Sequence, residues 1–92
     1  MKVTIKDKEI ELKYSIRAMI MYENVAEKSF TGGSLTDVVT FFYCIILTST
    51  QDYTLDWEEY LDWLDADGGN VIVEFSEWIQ DVTKNQNKLK KD

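Results

Sequence analysis

Histidine is missing altogether from these 92 residues, and between Phe30 and Thr83 there is neither a lysine nor an arginine. The first absence removes the commonest general base and the commonest transition-metal ligand. The second leaves eleven acidic residues in that stretch with no basic residue among them. The net charge of −7 arises there, because residues 1–29 and 84–92 sum to +1 and +3. Such a surface repels phosphate backbones and anionic lipid, which argues against nucleic-acid and membrane partners and favours a protein with a basic face. A single cysteine, Cys44, cannot form an internal disulfide, and no signal peptide precedes the first strand, so a cytoplasmic protein is expected. The longest apolar run, Phe41 to Leu47, is far shorter than the roughly 20 residues a bilayer requires.

What is present is a core. Hydrophobic residues make up 45% and aromatics 13%, enough to exclude wholesale disorder in one domain near the small end of what folds alone. A domain of that size is marginal, and a homo-oligomer or a bound partner is a natural supplement. No repeat, linker or proline divides it.

The first thirteen residues alternate. Val3 and Ile5 oppose Lys2, Thr4 and Lys6, and Ile10 and Leu12 alternate with Glu9, Glu11 and Lys13. Around a two-residue break at Asp7-Lys8, this pattern predicts a β-hairpin. Ser15 is placed to cap a first helix over Ile16–Ala26 whose inward face carries Ala18, Met21, Tyr22 and Val25. Ile16 and Ile20 fall off that face. Gly32-Gly33 breaks the chain, and Ser34 with Asp37 resembles a short-armed capping box for a second helix. Its stripe of Leu35, Val38, Val39, Phe42, Ile45 and Ile46 is extended nearly all round by Phe41, Tyr43, Cys44 and Leu47, which marks it as central. A third helix is expected over Leu55–Ala66, capped by Thr54, with Trp57, Tyr60, Leu61 and Leu64 inward and Trp63 off the stripe. After Asp67-Gly68-Gly69, a fourth helix follows on Val71, Phe75, Trp78 and Val82. The domain is expected to end at residue 83, with 84–92 a basic tail that frays into solvent. The fold class is therefore α+β, mostly α, an N-terminal hairpin packed on about four helices.

Several patterns suggest chemistry and admit simpler accounts. Cys44 lies in the most apolar segment with no histidine to activate it, so it serves as a small hydrophobe. The loop from Asp65 to Glu74 resembles a calcium loop between helices, and a calcium-binding regulator is one alternative. Counted from Asp65, though, position 6 is Asn70 where glycine belongs, and position 12 is Ser76 where a bidentate glutamate belongs. Ser34 at a helix start resembles the modified serine of an acyl carrier protein, but Gly33 replaces the family's aspartate, and an N-cap suffices. The aromatics could stack on single-stranded nucleic acid, yet they stand among carboxylates where such platforms are basic. An acidic DNA mimic rests on charge alone. No catalytic residue, metal ligand or cofactor is expected.

In order, the hairpin from Val3 to Lys13, the Tyr14-Ser15-Ile16-Arg17-Ala18-Met19-Ile20-Met21-Tyr22-Glu23 helix start, the apolar helix from Leu35 to Leu47 and the acidic, tryptophan-bearing helix from Leu55 to Asp65 resemble the small tail assembly chaperones of long-tailed bacteriophages and prophages. The resemblance covers roughly residues 2–82 and consists of hydrophobic patterns. It departs at Val25-Ala26-Glu27-Lys28, where a glycine would be expected to stop the first helix. It implies a non-enzymatic factor in the cytoplasm of the bacterial host, one that binds the tape measure protein and helps recruit tail-tube subunits. Other small tail or head-tail proteins are the nearest alternative. The partner surface expected from the residues comprises Ile16, Ile20, Phe41, Tyr43 and Trp63, apolar positions beyond what one small core needs.

Overall fold

The computed structural model describes residues 1–50 and 55–91, with side chains described as far as residue 84. Two strands, β1 (Lys2–Ile5) and β2 (Lys8–Glu11), precede four helices: α1 (Ile16–Ala26), α2 (Leu35–Ser49), α3 (Trp57–Asp67) and α4 (Asn70–Lys91). The architecture is α+β and mostly α. Among the described residues no helix is long and apolar enough to cross a membrane.

The strands pair antiparallel, with Val3 opposite Ile10 and Ile5 opposite Lys8. This register places the turn at Lys6-Asp7, one residue before the expected Asp7-Lys8. Lys6 and Asp7 both have positive φ, 50° and 66°, as a tight two-residue hairpin turn demands even without glycine. The alternation settles which face is buried: Val3, Ile5, Ile10 and Leu12 all enter the core, while Lys2 reaches Glu9 at 3.5 Å on the outer face.

Helix α1 begins where the sequence places it, with the Ser15 hydroxyl accepting from the Ala18 N–H. It stops without a glycine. Glu27 takes the left-handed conformation (φ 59°) and its N–H bonds to the Glu23 carbonyl. The buried face is narrower than expected: Ala18 and Tyr22 are buried, Met21 is half-buried, and Val25 is 63% exposed.

At the start of α2 the Ser34 hydroxyl accepts from the Asp37 N–H. The expected box has only this one arm, since the Asp37 carboxylate turns inward instead. The buried face of α2 is Asp37, Phe41, Phe42, Cys44, Ile45 and Ile46, rotated from the expected stripe toward α1. Leu35, counted inward from sequence, is 67% exposed. Phe42 stacks on Phe75 of α4 with ring centroids 4.3 Å apart, and Phe41 stacks on Phe30 at the same distance. Around this double stack close Tyr22, Tyr60, Leu64, Val71 and Ile79.

Helix α3 starts at Trp57, with the Asp56 side chain accepting from the Glu58 N–H. The expected cap, Thr54, lies outside the described residues. Gly68, at φ 73°, closes α3. The Asp67 carboxylate then accepts from the Val71 N–H at 2.6 Å, holding the first turn of α4. The expected boundary at residue 83 does not interrupt the backbone: α4 runs on to Lys91. That continuation is reasonable for a segment free of glycine and proline, with lysines at a helix C-terminus where the dipole favours them.

Candidate functional site

Three helices leave a gap. Leu35, Thr36 and Val39 of α2, Trp57, Leu61 and Leu64 of α3, and Ile72 of α4 line an open groove of about 490 Å³, closed at one end by Gly68 and Gly69. Tyr60 anchors α3 to α2, its buried hydroxyl donating to the Val39 carbonyl at 2.6 Å. Tyr43 does the same further along, donating to the Leu55 carbonyl at 2.6 Å. The first turn of α2 leaves Leu35 67% exposed, and the first residue of α3, Trp57, which lies between the two bonds against the rings of Tyr43 and Tyr60, is still 36% exposed.

One edge of the groove is acidic. Glu58, Asp62 and Asp65 follow at i, i+4 and i+7 along α3, beside the row formed by Trp57, Leu61 and Leu64. All three are exposed, and Asp65 lines the groove itself. Among the described residues no lysine or arginine forms an ion pair with any of them. The neighbouring Glu59, a step further round α3 and lining a shallow pocket with Asp62, is engaged by Lys6 of the hairpin turn. Trp63 also faces the hairpin, its indole Nε1 donating to the Thr4 carbonyl at 3.1 Å.

The expected partner surface therefore divides. Ile16 and Ile20 are exposed, at 75% and 54%, and share one outer face of α1. Phe41 is a correction: it is 1% exposed, enclosed by Tyr22, Phe30 and Phe75, and offers nothing to a partner. Its off-stripe position on the wheel misled because the buried face of α2 is turned toward α1 and Phe30. Tyr43 and Trp63 are half-buried and hold α3 to α2 and to the hairpin, so the expected exposed anchor at Trp63 is a structural tie. The residues that sequence reasoning missed are Leu35 and Trp57. Periodicity assigns both inward, yet both occupy a first helical turn, where Leu35 is left largely exposed and Trp57, packed on Tyr43 and Tyr60, is covered only in part.

A second polar cluster has a different character. Asp37, the buried acid on α2, accepts from the Tyr22 hydroxyl at 2.7 Å and the Thr31 hydroxyl at 3.2 Å, and lies 2.9 Å from the Lys28 ammonium. Hydrogen bonds from Lys28 and then Tyr22 hold its carboxyl below the usual carboxylate range, outweighing desolvation. Burial and the Asp37 hydrogen bond push the Tyr22 phenol up to about 12. Every group in the cluster has a partner, and it ties the α1–α2 connection down. Burial alone pushes the Cys44 thiol up to about 11, an inert thiol at neutral pH.

The remaining sequence candidates have structural duties. Ser34 caps α2, and Asp67, in the loop that resembles a calcium site, caps α4. Among the described residues no three acidic or cysteine side chains gather as a metal site would need.

No family model, characterised protein or solved structure matches the chain.

Proposed function

We propose that this chain is a non-enzymatic assembly chaperone of the phage-tail kind, which binds a segment of the tape measure protein and helps bring tail-tube subunits to it in the cytoplasm of the bacterial host. The observation that carries this reading is apolar surface left over once the core is complete, beside carboxylates that have no ion pair to a lysine or arginine among the described residues. Leu35 and Trp57 flank an open groove, and Ile16 and Ile20 lie on the free face of α1. A small domain with this much uncovered apolar surface gains by holding a partner's apolar segment out of water. The polar side chains with defined partners, Ser34, Asp37, Tyr43, Tyr60 and Asp67, serve caps and inter-helix ties, which favours binding over catalysis. The identity of the partner comes from the resemblance in the hairpin, the apolar second helix and the tryptophan-bearing third helix.

Co-expression tests it. The tagged chain is produced with the tape measure protein encoded beside it, and the expected result is a soluble complex that co-purifies, with the tape measure protein insoluble or degraded when produced alone. A wild-type chain that fails to co-purify the tape measure protein overturns the reading. Free chain that assembles into homo-oligomers, and is rearranged when the partner is present, is compatible with it.

A further inference from the structure

Two features of α3 coincide in space. Its apolar row faces the groove, and an acidic row runs beside it, with Asp65 on the groove itself and no ion pair to Glu58, Asp62 or Asp65 among the described residues. A small apolar ligand would use the first and have no use for the second. A basic disordered segment would use the second and leave Leu35 and Trp57 in water. A helix with one apolar face and one basic face uses both, and it matches the charge of a stretch that lacks lysine and arginine from residue 30 to residue 83.

We propose that the groove between α2, α3 and α4 is the docking site for a basic amphipathic helix of the partner. Its apolar anchors sit over Val39, Leu61 and Ile72 between Leu35 and Trp57, and its lysines or arginines meet Glu58, Asp62 and Asp65. This rests on the chaperone reading for the identity of the partner and goes beyond it by assigning the surface and the chemistry recognised. It also removes the free face of α1 from the primary contact. Apolar anchors spaced i, i+3, i+4 and i+7 fill a groove of this kind, and the acidic rim speeds encounter and selects the sign of the partner's polar face. Both contributions are testable separately because salt screens the second far more than the first.

The probe is a pair of fluorescein-labelled synthetic helices of roughly 18 residues, about five turns, with leucines on one face and either lysines or glutamates on the other. Wild-type chain is expected to bind the lysine-faced helix with a micromolar Kd that weakens as salt is raised, and to ignore the glutamate-faced one. Leu35→Asp and Trp57→Asp are each expected to raise that Kd about tenfold or more. The combined variant Glu58→Lys, Asp62→Lys, Asp65→Lys should transfer preference to the glutamate-faced helix. Ile20→Asp, on α1, should change nothing. Leu35 and Ile20 are more than half exposed, so their variants should retain the wild-type melting curve. The charge variant keeps the test independent of any one apolar substitution.

Equal binding of the two helices, no binding of either, or binding indifferent to Leu35→Asp overturns the proposal. So does self-association of the free chain that Leu35→Asp abolishes, which would assign the groove to a second copy. Failure of the tape measure protein to co-purify, with the lysine-faced helix still bound in the groove, would sink the chaperone reading alone. Co-purification lost with Ile20→Asp and untouched by Leu35→Asp would sink the groove assignment alone.

Discussion

Asp37 and the acidic edge of α3 carry the same functional group and do opposite things with it. Asp37 is buried at the α1–α2 junction with a tyrosine, a threonine and a lysine around it. Glu58, Asp62 and Asp65 are exposed, with no ion pair to a lysine or arginine among the described residues. A buried carboxylate must be fully partnered or the fold fails, whereas an exposed row can stay unpaired at little cost and remain available to something else. The apolar residues divide in the same way. Phe41 and Phe42 are locked into ring stacks, while Leu35 is 67% exposed and Trp57, despite its contacts with Tyr43 and Tyr60, keeps a third of its surface in water. One side of the molecule is finished and the other is open.

The largest effect should come from the finished side. Phe42 is fully buried, stacked on Phe75 and in edge contact with Tyr60 and Trp63. Phe42→Ala should cost about 3–5 kcal/mol, which is comparable to the whole stability of so small a domain. Circular dichroism is expected to show an unfolded or non-cooperative chain at room temperature. A soluble variant that still melts cooperatively would mean that the centre of the molecule is elsewhere.

Next is Asp37→Asn, which keeps the shape and removes the charge. With its native pKa held below the unfolded value of about 3.9, Asp37 contributes stability that is present above that value and is lost as pH falls through the native pKa. In that window the unfolded chain binds more protons, so stability falls with falling pH. The variant should therefore melt lower than wild type at neutral pH and show a shallower decline on acidification. Melting curves taken from neutral pH to below about pH 4 check both halves. A wild-type acid limb that the variant reproduces in full would assign the linkage to other carboxylates.

This difference between the two sides also explains what the sequence reveals. The hairpin, the four helices and their order follow from period-2 alternation, period-3.6 stripes and the Ser15 and Ser34 caps, all local signals. The side chains that sit differently do so for tertiary reasons. Phe41 is buried because Phe30 returns across it, whereas Val25 near the end of α1 is 63% exposed. The groove was the least legible feature. Leu35 and Trp57 have the correct helical phase for burial, yet Leu35 is 67% exposed and Trp57 remains 36% exposed despite its contacts with Tyr43 and Tyr60. The acidic row, by contrast, is plain in the sequence, as is the absence of lysine and arginine from residue 30 to residue 83.

Cys44 sharpens the comparison kinetically. Its thiol lies on the buried face of α2 and is pushed up to about 11, so a thiol reagent at neutral pH should react only when the finished side opens. Labelling with iodoacetamide, followed by mass spectrometry, should be slow in native buffer and prompt in denaturant. Prompt labelling of the folded chain would show that this side opens locally and is not the stable half.

The smallest effect on stability belongs to the open side. In Glu58→Gln, Asp62→Asn, Asp65→Asn the contributions nearly cancel. Relieving the Glu58–Asp62 repulsion at i, i+4 gains about 0.2–0.5 kcal/mol, and removing Asp65 from the last turn of α3 relieves an unfavourable dipole contact. Against these, Glu58 in the first turn favours the helix N-terminus by about 0.3–1 kcal/mol, which is lost. The net change should be within about 0.5 kcal/mol, and a urea titration should place the midpoint close to wild type. Binding of the lysine-faced helix should nevertheless weaken and lose most of its salt dependence, since the charges that salt screens are gone. A variant that unfolds would make the acidic row part of the fold, and the contrast with Asp37 would collapse. A variant with unchanged stability and weakened binding separates the two roles of charge in one molecule: Asp37 holds the chain together, and the edge of α3 faces outward to a partner.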